Sequence, residues 1–478
     1  MLLSAVGLAG IKAYFQEKVL FGNKPSPELG AIVLIYFVQG ILGLARLAVS
    51  FFLKDDLGLT PAETEALLGI AMLPWIVKPL FGFLSDGLPL FGYRRRPYLI
   101  LAGLLGAFSW IAMATVVETA VAVAVAIALS SLSVAIADVI VDSIIVERVR
   151  EESIGDAGSL QSLCFGTSAF GGLLTAYLSG WLLEQFNTRT LFAIVATFPL
   201  LVSVVAWIIT ESRTEARPNW STVGRQVQQL RWAISRKVIW LPMAFMVFWQ
   251  STPRAESAFF FFTTNDLGFQ PEFLGRVRLI ASLATLLGIW IYQRFLRNVP
   301  LRAIFGWSTV LSALLGMTTL LLVTHANRAL GIDDYWFSLG DSLILTVMGE
   351  IAFLPFMVLA ARLCPPGIEA TMFALLMSFW NLARLVSQEL GALLTHLLGV
   401  TETNFDLLWL LVLVTNASTL LPLLGLHWVP ATDPQVEVQA AFAEVSLSGQ
   451  TGTDLEPSVT PLSESSAVSD LVPEDARS

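Results

Sequence analysis

Apolar runs of roughly twenty residues or more, parted by short polar stretches, recur along this chain from Ala31 to Trp428. At ~1.5 Å of rise per residue, such a run crosses the roughly 30 Å of hydrocarbon in a bilayer as a single helix. Lipid offers no partner for a free backbone N–H or C=O, and a helix pairs both within its own segment. Composition agrees, because 55% of the 478 residues are hydrophobic and 14% charged, where a soluble domain carries about 25% charged residues. The pattern predicts an all-α integral membrane protein of about twelve transmembrane helices. They are expected near 30–53, 63–84, 97–117, 119–147, 159–185, 189–210, 238–263, 271–294, 302–324, 335–362, 369–398 and 405–428.

Five segments follow from that count. Residues 1–29 form a cytoplasmic or interfacial segment, 30–210 a first six-helix bundle, 211–237 a central cytoplasmic loop, 238–428 a second six-helix bundle, and 429–478 an acidic tail. The tail is rich in Ser, Thr, Pro and acids and holds too little apolar surface to order itself. Much of the net charge of -9 sits there and says nothing about a cargo. Arg94 to Arg96, Arg213, Arg217, Arg236 and Lys237 gather on one side, whereas the opposite loops hold only Lys54, Arg189 and Arg328. By the positive-inside rule, both termini are expected in the cytoplasm.

The segment Asp55-Asp56-Leu57-Gly58-Leu59-Thr60-Pro61 after the first span is answered 210 positions on, at Asn265-Asp266-Leu267-Gly268-Phe269-Gln270-Pro271 after the seventh. Asp138 in the fourth span likewise falls 212 positions before Glu350 in the tenth. Two parallel six-helix repeats make two pseudo-symmetric halves, the plan of the major facilitator fold.

The stretch Trp75-Ile76-Val77-Lys78-Pro79-Leu80-Phe81-Gly82-Phe83-Leu84-Ser85-Asp86, continued by Phe91-Gly92-Tyr93-Arg94-Arg95-Arg96-Pro97-Tyr98, closely resembles the signature of the folate-biopterin transporter family. Further matches are Asp138-Val139-Ile140-Val141-Asp142, Gly158-Ser159-Leu160-Gln161-Ser162, Ala258-Phe259-Phe260-Phe261-Phe262 and Phe273-Leu274-Gly275, so the resemblance spans both halves. It implies a carrier of folates, reduced folates or pterins, driven by protons. Some relatives carry S-adenosylmethionine, which stays open as a cargo.

A charge at the bilayer centre costs at least ~2.5–3.5 kcal/mol on insertion scales, so it must face a partner or a wet cavity. Arg46, Asp138, Asp142, Arg254, Glu256 and Arg384 are such positions. A folate would need cations for its carboxylates, and the forked guanidiniums of Arg46, Arg254 and Arg384 suit them. Asp138, Glu256 or Glu350 would accept from the pterin amino edge, with Gln39, Gln161, Gln250, Asn381 and Gln388 as neutral alternatives. Arg276 and Arg278, near the outer end of the eighth span, would draw anions to the mouth. Asp138 and Asp142, four apart, share one helical face and suit proton coupling, as does Glu350. The rival for the aspartates is ion pairing with Arg46 or Arg384. Asp86 with Arg94, Arg95 and Arg96 is expected to form a cytoplasmic gate, the alternative being that the arginines only set topology. Lys78 is expected to snorkel to that face.

Phe37, Trp249, Phe259, Phe260 and Trp380 are candidates for stacking the ring. Gly166, Gly171, Gly172 and Gly180 are spaced for close helix contact in a rocking motion. Pro253 and Pro355 are expected to kink helices and free carbonyls. No HExxH, GxSxG or P-loop pattern occurs, and Cys164 and Cys364 make no metal set, so neither an enzyme nor a cofactor is expected. The expected partners are the cargo, protons and the lipid bilayer, with no nucleic acid, and the chain is read as a monomer. A bacterial inner membrane, in a photosynthetic source, fits best; a plastid or thylakoid address is the alternative. The rival from another class is a non-transporting membrane assembly or receptor protein.

Overall fold

The computed structural model describes residue 20 and residues 25–438, apart from 152–156, 212, 214–223, 225–230, 232–233, 297, 365–368, 432–433 and 435. Side chains at 83, 86, 87, 145–151, 157–162 and 369–371 are outside the description as well. The expected interfacial segment at the amino terminus, most of the 211–237 loop, nearly all of the acidic tail, and the Asp86 and Gln161 side chains therefore lie outside the described residues.

The described chain is helical and holds no strand. Among the described residues, nine helical stretches are long and apolar enough to cross a membrane. Numbered as the sequence numbers its spans, they are the first (Pro27–Asp56), second (Pro61–Gly82), third (Arg96–Thr115), fourth (Ala120–Ile144), sixth (Thr188–Val205), eighth (Pro271–Leu296), ninth (Leu301–Val323), tenth (Asp334–Arg362) and twelfth (Leu408–Trp428). Ala157–Gln185, Lys237–Gln250 and Glu369–Leu397 stand where the fifth, seventh and eleventh are expected.

Local chemistry explains where these helices begin. Ser26 caps the first span by accepting the Leu29 N–H at 3.0 Å, with Pro27 in the first helical position. Thr60 and Glu63 form a reciprocal box at the start of the second, Glu63 N–H to Thr60 Oγ1 at 3.3 Å and Thr60 N–H to Glu63 Oε2 at 2.9 Å. Both pairings satisfy amide donors that a helix start leaves free.

The internal repeat is also a repeat of backbone geometry. The first span ends in a π-helical turn at Phe52–Asp56 and the seventh in another at Phe262–Asp266. Leu57 N–H reaches Phe52 O at 3.1 Å, and Leu267 N–H reaches Phe262 O at 3.1 Å. Gly58 and Gly268 follow at φ +62° and +68°, a region that a Cβ disfavours. The next helix then opens on Pro61 or Pro271.

Lipid gives helices no hydrophobic reason to associate, so close backbone approach at small residues holds the halves together. A Cβ on Gly40 would stand 2.1 Å from Ser168 O, and one on Gly171 2.8 Å from Phe37 O, which locks the first span to the fifth. Between halves, a Cβ on Gly180 would stand 2.2 Å from Pro271 O and one on Gly275 2.9 Å from Tyr177 O. A Cβ on Gly166 or Gly172 would meet nothing within 4 Å, so only two of the four fifth-span glycines leave no room for a side chain, Gly171 against the first span and Gly180 against the eighth. At this same end Lys54 Nζ donates to Asn265 Oδ1 at 2.8 Å, and Phe51 meets Phe260 edge-on with centroids 5.2 Å apart. These contacts close the two halves on each other at this end, the one expected outside from the charge bias.

Candidate functional site

The seventh span stops at Gln250 and restarts at Glu256, with Pro253 in the gap. A proline removes one N–H and frees a carbonyl, and the eleventh span takes up both loose ends. Ser387 Oγ donates to Thr252 O at 2.6 Å, and Arg254 N–H donates to Ser387 O at 3.4 Å. Gly391 makes room for the break, since a Cβ there would lie 1.6 Å from Arg254 O. Pro355, by contrast, lies inside an unbroken tenth span.

Below the seal, between the halves, is a cavity of about 710 Å³. Arg46, Glu256 and Arg384 line it, each exposed although each lies within a span. Arg254 stands beside them, within electrostatic reach of Glu256, Arg384 and Glu65. Two further charges on the wall were not placed there from the sequence. Arg278, expected at the outer mouth, lines the cavity and senses Arg46 and Glu256, while its neighbour Arg276 points away and pairs with Glu272 at 2.5 Å. Glu65, one turn into the second span, lines the cavity and its Oε2 accepts the Ser257 N–H at 2.6 Å. Three guanidiniums on the wall thus face two carboxylates, with Arg254 beside them, and positive charge is in excess even with both acids ionised.

The expected aromatic platform is elsewhere. Trp249 and Trp380 are 6.0 Å apart in a core cluster of the second half with Phe356, whose ring centroid is 3.8 Å from that of Trp380. Phe37 stacks on Phe170 at 6.4 Å and Phe259 packs on Phe262 at 6.2 Å. Phe260 does line the cavity, and Trp75 and Trp110 supply the other flat faces.

Asp138 is not on the cavity wall. It is held by Lys78 Nζ, which also lies 3.5 Å from Asp142 Oδ2, and Tyr36 Oη donates to Asp142 Oδ1 at 2.5 Å. Lys78 therefore does not snorkel, and it takes the place expected of Arg46 or Arg384 as the counter-ion. Glu350 occupies the matching seam of the other half. Gly288, 210 positions after Lys78, lies against it, so that a Cβ there would meet Glu350 Cβ at 2.7 Å, and Thr285 Oγ1 donates to its carboxylate at 3.4 Å.

The arginine run acts within the first half. Glu211 accepts the backbone N–H groups of Arg94 and Arg95 on Oε1 at 2.5 and 2.9 Å, and that of Arg96 on Oε2 at 3.0 Å, capping the third span. The Arg95 guanidinium donates to Ser85 Oγ at 2.9 Å, and that of Arg96 to the carbonyls of Ile209 and Trp207 at 2.8 and 2.9 Å. These bonds bind the third span to the end of the sixth. Neither Glu211 nor Ser85 stood out in the sequence, since one opens the central loop and the other is a serine among apolar neighbours.

Two helical halves around a central charged cavity, with one span broken at its wall, define a carrier of the major facilitator type. The fold agrees with the crystal structure of a D-xylose-proton symporter, at a TM-score of 0.61 and 18% identity, over 85% of this chain and 99% of that one. Residues 39–445 match the BT1 family. Over 427 residues the chain is 60% identical to a folate-biopterin transporter of Synechocystis sp., spanning 89% of this chain and 86% of that protein. It is 36% identical to probable folate-biopterin transporter 2 of Arabidopsis thaliana, spanning 84% and 83%. The chain belongs to the BT1 family of folate-biopterin transporters, as its second-span signature implies. The family and these relatives are transporters, not enzymes.

Proposed function

We propose that this chain carries folate, reduced folates or related pterins across the membrane by alternating access, coupled to protons. The observation that supports the reading most is the charge of the cavity. Arg46, Arg278 and Arg384 on the wall, with Arg254 beside them, outnumber Glu65 and Glu256, as an anionic cargo requires. The volume of about 710 Å³ suits a ligand of that size, since small-molecule sites span ~300–1,000 Å³. Trp75, Trp110 and Phe260 offer flat faces to a ring. The relatives' names point to the same cargo. S-adenosylmethionine, a cation at its sulfonium, would meet the wrong sign of charge.

Alternating access is supported by the end sealed at Gly180, Lys54 and Phe51, above a cavity that both halves line. Proton coupling is assigned to the Lys78, Asp138 and Asp142 cluster, where protonating a carboxylate would release Lys78 from the fourth span. Glu350 is its counterpart in the second half. The two bundles, 30–210 and 238–428, are taken as the rocking bodies of a monomer in a bacterial inner membrane, both termini cytoplasmic.

The test is uptake of labelled folate, folinate, biopterin and S-adenosylmethionine into vesicles holding the purified protein, with and without an inward proton gradient. Gradient-driven uptake of the pterins, lost in Asp138→Asn, supports the reading. Uptake of S-adenosylmethionine alone would refute the cargo.

A further inference from the structure

Four residues that line the cavity each hold a buried polar atom that makes no hydrogen bond among the described residues: Gln39 Nε2, Thr64 Oγ1, Trp110 Nε1 and Gln388 Oε1. Burying a polar group without a partner opposes folding unless something else bonds to it. Thr64 is 1% exposed and Trp110 7%, so these two cannot turn to bulk water. The amide and indole N–H groups donate, the amide oxygen accepts, and the hydroxyl does either. Such a mixed set fits a neutral heterocycle whose edge carries both a lactam and an amino group, and no single carboxylate could satisfy it.

The set is also distributed unevenly. Gln39, Thr64 and Trp110 belong to the first, second and third spans, all in the first half, with Gln388 opposite on the eleventh. The charges divide the other way. By count, the first half brings one of each sign to the wall, Arg46 and Glu65, whereas the second half brings Arg278 and Arg384 against Glu256 alone, with Arg254 beside them. We infer that the cargo binds in one orientation, its heterocycle seated on the first half by Gln39, Thr64 and Trp110 and its carboxylates on the second half by Arg278 and Arg384. This inference rests on the folate and pterin reading above. Gln388 completes the heterocycle's contacts from across the cavity, so that seating the ring engages both halves.

Three probes divide the site: biopterin carries the heterocycle without glutamate, p-aminobenzoylglutamate carries the carboxylates without the heterocycle, and folate carries both. Binding would be measured by calorimetry on the full chain in nanodiscs. Gln39→Leu and Thr64→Val are each expected to weaken biopterin and folate by about fivefold and to leave p-aminobenzoylglutamate unchanged, with Thr64→Ser restoring the wild-type values. Arg384→Gln is expected to weaken folate and p-aminobenzoylglutamate by about tenfold and biopterin by less than about twofold. The orientation is overturned if Thr64→Val spares biopterin, if Arg384→Gln weakens biopterin as much as folate, or if a variant of unchanged melting temperature moves all three probes alike. Wild-type protein that binds none of the three refutes instead the proposed function, and the orientation with it.

Discussion

Glu65 of the second span accepts the backbone N–H of Ser257 in the seventh at 2.6 Å, so a carboxylate from one half caps the helix that restarts in the other. The bond lies at the sealed end of the cavity, and opening that end must break it. Hydrogen bonds to charged groups contribute ~1.5–3 kcal/mol, which in a two-state equilibrium is about a ten- to hundredfold change in ratio. Glu65→Leu should therefore favour the state open at this end. A cysteine at cavity residue Ser50, in a background lacking Cys164 and Cys364, should react about tenfold faster or more with an impermeant thiol reagent applied from that side. An unchanged rate in Glu65→Leu would show that the bond does not hold the seal.

Lys78 and Asp138 form a mutually dependent pair. Removing one partner of a buried ion pair destabilises by ~3–5 kcal/mol, while replacing both with apolar groups is often neutral. Lys78→Met and Asp138→Leu alone should each lower the melting temperature by several degrees, and the double variant should regain part of it, since Asp142 still loses its Lys78 contact. On the proposed coupling, uptake driven by a proton gradient should stay absent in all three, because packing cannot replace a carboxylate that carries the proton. Recovery of coupled uptake in the double variant would remove Asp138 from the proton path.

Neighbouring arginines should behave differently. Arg276→Gln breaks an exposed contact with Glu272 and should change folate uptake by less than about twofold. Arg278→Gln removes a cation from the cavity wall and should raise the folate KM by about tenfold or more. Equal effects of the two substitutions would contradict the placement of Arg278.

Glycine substitutions check the crossings. Gly391→Ala would place a methyl 1.6 Å from Arg254 O, and Gly180→Ala one 2.2 Å from Pro271 O, distances that backbone must yield to. Gly391→Ala should abolish folded protein, and Gly180→Ala should leave folded protein with impaired transport. Gly172→Ala meets nothing within 4 Å and should behave as wild type in size-exclusion profile and uptake.

Much of the fold was legible because lipid imposes simple rules. Long apolar runs had to be helices, and the 55–61 segment and its echo at 265–271 marked two halves. The π-helical turns at the ends of both copies were not legible, since Phe52–Asp56 and Phe262–Asp266 share only their first phenylalanine and their last aspartate. Arg46, Glu256 and Arg384 could be picked out because a charge within an apolar run needs a wet or paired environment. Glu65 and Arg278 escaped because each lies near an expected span end, where a charge is ordinary. The partner of Asp138 escaped for another reason: Lys78 is 60 positions away, and helical spacing relates only residues within a few turns. Aromatic positions were the least readable, because a ring packs equally well in a core, as Trp249 and Trp380 do, or on a cavity wall, as Trp75 does.

Counterflow tests the central claim most directly. Vesicles holding the purified chain would be preloaded with unlabelled folate and given a trace of labelled folate outside, with no proton gradient. A carrier that alternates access should accumulate label transiently above equilibrium, and Arg384→Gln should abolish the overshoot. Saturable folate binding without any overshoot would contradict the account, and would mark the chain as a membrane receptor that binds its ligand and does not move it.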